Sequence, residues 1–221
     1  TLVASYQQQA ERAIADNVAS TRNKQEQKMT EDAWLENNKT DIANRNWTQY
    51  PLSLAEHGTM VVLDMECRVL AMANYPTYDL NALVAGGDEA VEILSDPRNL
   101  LMNYAIHARG TPGSIFKMVT GIGALSEGEL QPTETINDEG YFTKYNKDES
   151  TAPKCWISAS ARSKHQNQTI IEGLNHSCNY FFYTIGDRLG EERLYRYASQ
   201  LGLTSKTGID LPGEVRSVVG C

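Results

Sequence analysis

The 221 residues carry 20 lysines and arginines against 28 aspartates and glutamates, a formal net charge of −8, with 41% hydrophobic residues. That much apolar material can fill a core, which excludes a disordered chain, and the acidic balance excludes a surface built to grip phosphate backbones, so no nucleic-acid partner is expected. The longest apolar run, residues 115–125, is interrupted by Lys117 and falls short of the roughly 18 residues that a membrane-spanning helix needs.

In chain order, residues 6–16 (YQQQAERAIAD) place Ala10, Ala13 and Ile14 at helical spacing with charges opposite, and predict a short amphipathic helix packed on a sheet. Residues 21–49 are polar and charged, anchored only by Trp34, Leu35 and Trp47, and read as either a helical surface insertion or a mobile excursion, without chemistry. GTMVVLD (58–64) and RVLAMAN (68–74) are two β-rich apolar runs separated by three turn-compatible residues, the pattern of a hairpin. Gly86-Gly87 and Asp96-Pro97 then punctuate short segments. Thr111-Pro112-Gly113 precedes a helical stretch from Ser114 to Leu125, residues 129–165 are turn-rich, and helical spacing returns over 170–189 and 191–201. The chain opens at Thr1 with no initiator Met and no apolar leader, as expected of a piece of something longer.

Cys67, Cys155, Cys178 and Cys221 show no Cys-x-x-Cys spacing, and His57, His107, His165 and His176 include no His-Glu-x-x-His pair. No metal centre and no cofactor are expected on these spacings, and the cysteines read as small buried hydrophobes, with disulfide pairing left open.

The chemistry-bearing residues sit at the start of the Ser114 helix. Ser114 and Lys117 are three apart, so on a helix they share a face, and the amine can reach the hydroxyl as a base reaches a nucleophile. A free lysine titrates near 10.4, so acting as a base near neutrality requires a fall of about three pH units, which burial and the positive helix end can supply. Gly113 leaves room for a substrate beside the serine, and Pro112 stiffens the entry. With 14 serines and 9 lysines, roughly 0.6 Ser-x-x-Lys matches are expected by chance, and Ser177-Cys178-Asn179 is an equally short pattern. Only their context raises them above coincidence.

That context is four ordered blocks: HGTMVVLDMECRVLAMANYPTYDLN, NYAIHARGTPGSIFKMVTGIGALSEG, IIEGLNHSCNYFFYTIGDRLG and LGLTSKTGIDLPGE. Together they resemble the transpeptidase domain of class B penicillin-binding proteins over most of residues 57–214, with Gln8, Ala10 and Glu11 of the opening helix also similar. The resemblance implies an α+β fold of the β-lactamase/transpeptidase type. Its α/β lobe (1–89, with the polar insertion 21–49) would pair with a mainly helical lobe (90–201) and a return loop (202–221), with Ser114 at the lobe junction. It further implies Ser114 as the acylated nucleophile, Lys117 as its general base, and Ser177 and Asn179 as the second motif, with Gly113, Ser177 and Asn179 lining the substrate. Ser177 would relay a proton to the leaving amine, Asn179 would bond both the lysine and the substrate, and Cys178 would be a spacer packed away from the cleft.

The implied substrate is a peptidoglycan stem peptide ending in D-Ala-D-Ala, with β-lactams as mimics, a glycosyltransferase as partner and the extracytoplasmic face of the bacterial membrane as location. Lys206-Thr207-Gly208 spells the family's third motif, Lys-Ser/Thr-Gly, but Pro212 and Gly213 end any strand there, so it reads as a loop; the genuine motif strand would then lie beyond residue 221 and the fragment alone would be feeble. A β-lactamase, a penicillin-sensing domain and a non-catalytic scaffold are the alternatives. Neither of the first two usually carries TGIDLPGE.

Overall fold

The computed structural model describes residues 2–32, 34–36, 39, 54–149, 151–157 and 165–219, and the chain divides into two units, 1–108 and 109–221. The division falls after Ala108, later than the boundary near residue 89 expected from the sequence. Much of the polar segment expected to be an insertion, residues 40–53, lies outside the described residues.

In the first unit, α1 (Ala4–Met29) packs on an antiparallel hairpin of β1 (Gly58–Leu63) and β2 (Val69–Tyr75). The helix runs well beyond the 6–16 segment predicted for it. Apolar spacing alone does not mark residues 17–29, but Val18 continues the buried stripe of Ala10 and Ile14, and Arg22 pairs with Glu26 one turn on. Ala10, Ile14 and Val18 meet the small residues Ala71 and Ala73 of β2, and it is the smallness of those alanines that lets the helix sit close. Gly58 is required by the same approach, since a Cβ there would lie 2.7 Å from Ile14 Cδ1 and 2.8 Å from Val18 Cγ2.

Backbone pairing also fixes the helix on the sheet. The Gln7 side chain donates to the Met72 carbonyl (3.0 Å) and accepts from the Met72 N–H (2.9 Å), satisfying both groups of one residue of β2. The hairpin turn is held by Asp64, whose carboxylate accepts from the N–H groups of Glu66 and Arg68, and a bulge between Val62 and Leu63 shifts the register. Cys67 stands in that turn with φ 61 and is exposed, which corrects its reading as a buried hydrophobe. Among the described residues, the short helices α2 (Leu80–Ala85), α3 (Asp88–Ser95) and α4 (Tyr104–His107) follow the hairpin.

In the second unit, a 3₁₀ turn (Gly113–Phe116) runs directly into α5 (Lys117–Ser126), followed after a turn-rich stretch by α6 (Ile170–Asn175), α7 (Asn179–Leu189) and α8 (Glu191–Gln200). α5 packs against α7 and α8 around a core of Ala124, Leu130, Ile136, Cys155, Ile170, Cys178, Phe181, Phe182 and Ile185. α6 starts with a reciprocal capping box between Thr169 and Glu172. The helical pattern predicted unbroken over 170–189 is interrupted at residues 176–178, between α6 and α7, where Ser177 takes a left-handed φ of 49. The break carries the Ser-x-Asn triplet.

Candidate active site

Ser114 lies in the exposed 3₁₀ turn and Lys117 opens α5. Gly113 has φ 61, a conformation that glycine adopts without a steric penalty, and a Cβ at this position would meet nothing within 4 Å. The glycine is therefore needed for the backbone that aims Ser114, and the surrounding space is open in addition.

The four side chains singled out from the sequence come together. Lys117 Nζ donates to Ser177 Oγ (3.0 Å), to the Ser177 carbonyl (2.7 Å) and to Asn179 Oδ1 (2.6 Å), and Ser177 Oγ lies 2.9 Å from Ser114 Oγ. The link from lysine to nucleophile thus runs through the Ser177 hydroxyl, whereas the sequence reading had the amine reaching Ser114 itself. The direction of this chain depends on charge. A Lys117 ammonium donates to Ser177, which donates to Ser114. A neutral Lys117 offers a lone pair, so Ser177 turns its proton to the amine and accepts from Ser114, which is the polarity needed to make Ser114 a nucleophile.

Partial burial pushes the Lys117 amine below the ordinary lysine range. The Phe182 ring, 5.5 Å from Nζ, favours the ammonium and works against that fall. Ser177 is held in its left-handed conformation from both sides: Trp156 Nε1 donates to the His176 carbonyl (3.1 Å), and Cys178 caps α7 by accepting from the Phe181 N–H through Sγ (3.4 Å). Cys178 is wholly buried, and burial raises its thiol well above the usual range, so it is no nucleophile.

Lys206-Thr207-Gly208 forms a loop, as the sequence predicts. The backbone N–H groups of Thr207 and Gly208 and the Thr207 hydroxyl all donate to the Glu214 carboxylate, with Gly208 at φ 83. Those N–H groups are committed to Glu214 and are not free to serve as oxyanion donors. Lys206→Ala is accordingly expected to leave the rate of penicillin acylation within twofold of the parent, measured by stopped-flow fluorescence; a loss of a hundredfold would restore it as the third motif.

Beneath the Ser177 loop, a further group is assembled that no chain spacing announced. Asp138, Cys155, His165 and Cys178 converge so that their donor atoms all lie within 4.8 Å of one another. They come from separate turns and the cap of α7, which is why searches for Cys-x-x-Cys or His-x-x-x-His pass over them.

A family model described as penicillin binding protein transpeptidase domain matches residues 58–220. The chain belongs to this transpeptidase family. Among curated relatives of this penicillin-binding protein chain, stage V sporulation protein D of Bacillus subtilis is 35% identical over 119 residues, covering 54% of this chain and 17% of the relative. Peptidoglycan D,D-transpeptidase MrdA of Haemophilus influenzae is 28% identical over 160 residues, covering 71% of this chain and 24% of the relative. Among solved structures, penicillin-binding protein A from M. tuberculosis, as an imipenem acyl-enzyme complex, aligns with a TM-score of 0.59 at 26% identity, covering 69% of this chain and 35% of that one. The chain therefore spans less than a quarter of the length of these curated relatives. The α+β class read from the sequence agrees with these class B penicillin-binding protein neighbours.

Proposed function

We propose that this chain carries the acylation machinery of a serine D,D-transpeptidase acting on peptidoglycan stem peptides that end in D-Ala-D-Ala. The observation that carries the reading is the hydrogen-bonded series from Ser114 through Ser177 to a partly desolvated Lys117, braced by Asn179. Ser114 Oγ attacks the carbonyl of the penultimate residue while its proton passes through Ser177 to the Lys117 amine. The tetrahedral intermediate collapses by expelling D-alanine, whose nitrogen takes a proton back along the same route, and an amine from a neighbouring strand then resolves the ester into a crosslink. The Ser114 N–H at the head of the 3₁₀ turn supplies one oxyanion donor.

Relatives named peptidoglycan D,D-transpeptidase and neighbours solved as β-lactam acyl-enzymes support this reading over a β-lactamase, a sensor or a scaffold. On this reading the site works outside the cytoplasmic membrane, β-lactams inhibit it as substrate mimics, and a glycosyltransferase supplies the glycan strand.

The test is acylation by a fluorescent penicillin followed by peptide mapping. The adduct is expected on Ser114 and absent from Ser114→Ala; an adduct on any other residue, or one that survives the substitution, would overturn the assignment. Because Lys117 must be neutral to accept the proton, the acylation rate is expected to rise with pH, with a midpoint below the roughly 10.4 of free lysine. A rate that is flat with pH or that falls on the alkaline side would contradict the base assignment.

A further inference from the structure

The first unit carries a cleft of about 420 Å³ that the acylation chemistry leaves unused. Its lining divides by chemistry: Leu80, Leu101 and Met102 are apolar, whereas Glu11, Asn74 and Asn103 are polar. Those polar groups are short of donors. Asn103 Oδ1 caps α4 by accepting from the Ala105 N–H (3.1 Å), and Asn74 Nδ2 donates to the same oxygen (3.1 Å). The cap fixes which way both amides are turned, and it leaves Asn74 Oδ1 a buried acceptor without a hydrogen-bond partner. The Glu11 carboxylate accepts from Gln7 Nε2 through Oε1 (2.8 Å), and no lysine or arginine lines the cleft to balance its charge. The group that suits these walls has an apolar stem and a positively charged, hydrogen-bond-donating tip.

The cleft opens onto an apolar face. α2 packs against α3, and the pair presents Leu80, Val84, Val91 and Leu94 at between 61% and 79% exposure, with Leu80 shared between this face and the cleft. Residues 77–97 around it hold Asp79, Asp88, Glu89, Glu92 and Asp96 and no lysine or arginine. Asp96 is neutralised by Arg98 (2.6 Å), whereas the other four have no basic partner among the described residues. Such a rim repels the anionic surface of a membrane and, on a chain of net charge −8, a second copy of itself. It attracts lysine and arginine.

We infer that this face docks a basic amphipathic helix of a partner protein. The apolar side of that helix lies on Leu80, Val84, Val91 and Leu94, and one of its lysine or arginine side chains enters the cleft, with its stem on Leu101 and Met102 and its cation beside Glu11. The acidic rim pairs with the remaining basic residues and sets the rate of encounter more than the lifetime of the complex, which the cleft decides.

The experiment uses a fluorescein-labelled helical peptide with leucines on one face and lysines on the other, titrated with the protein at physiological ionic strength and followed by anisotropy. Saturable one-to-one binding is expected, and no binding of a control peptide with glutamate in place of lysine. Glu11→Gln removes the charge at the cleft, and Leu101→Lys supplies it with a cation of the chain's own; each should weaken binding by about tenfold or more. Removing two exposed acids of α8, as Glu191→Gln with Glu192→Gln, should change binding by less than about twofold, because a distant charge acts only through a screened field. A photo-crosslinker on one lysine of the peptide should label residues 76–80 or 100–103. Each variant is checked for the parent's melting temperature, and Leu101 is exposed enough for its replacement to leave the core intact.

Binding unchanged in both Glu11→Gln and Leu101→Lys, or crosslinks confined to other residues, would overturn the site. An equal loss in the α8 variant would reduce it to general attraction between opposite charges. Binding to vesicles rich in phosphatidylglycerol, abolished by Glu11→Gln, would replace the peptide with a membrane. None of these readouts involves Ser114, so they stand whichever way the acylation test falls.

Discussion

Lys117→Ala is expected to slow acylation of Ser114 by about 10²- to 10⁴-fold, the usual contribution of a positioned proton acceptor, which corresponds to about 2.7–5.5 kcal/mol of barrier. The effect should exceed that of Asn179→Ala. Lys117 is where the proton ends, while Asn179 holds the amine in place through one 2.6 Å contact. Removing Lys117 also leaves Ser177 Oγ and the Ser177 carbonyl without their shared donor, so the loop loses its tether as well as its base. Second-order acylation rates with a chromogenic cephalosporin measure the loss, and a melting temperature close to the parent's would show that the fold persists. A Lys117→Ala protein acylated within threefold of the parent rate would remove the lysine from the mechanism.

The largest loss of stability is expected at Phe181. Its side chain is wholly buried in the core of the second unit and presses on the α6 backbone, where a Cβ on Gly173 would lie 2.9 Å from the Phe181 ring. Phe181→Ala should cost about 3–5 kcal/mol, because both the transfer of the ring and the cavity it leaves count against the fold. Against a typical total of 5–15 kcal/mol that is about a fifth of the stability or more, and it should lower the melting temperature by about 6–20 °C. Urea unfolding followed by circular dichroism tests this. A shift below 1 kcal/mol would mean that neighbouring residues such as Ile185 and Phe182 collapse into the vacated space.

How much of this was legible in the sequence depended on range. The hairpin was, because Gly58–Leu63 and Val69–Tyr75 are β-rich runs flanking a short turn, and chain-local patterning decides such elements. The full length of α1 was not: residues 17–29 are mostly polar, and their helix is supported by Val18 against the sheet and by pairs such as Arg22 with Glu26. Ser114 and Lys117 could be named from their spacing and flanking blocks. The break at Ser177 could not be seen, because a left-handed serine has no sequence signature and is imposed by its neighbours, Trp156 on one side and the Cys178 cap on the other. The Asp138, Cys155, His165 and Cys178 group was invisible for a related reason, as it exists only after three turns have folded against α7.

The conformation of Ser177 sets stability and activity at odds at a single position. A non-glycine residue at φ 49 costs about 1–2 kcal/mol relative to one that enters this region freely. A glycine would relax that penalty and also delete the hydroxyl that joins Lys117 to Ser114. Any selection scheme that rewards heat resistance alone will therefore tend to drift toward sturdier, silent proteins at this site, unless turnover is scored in the same round.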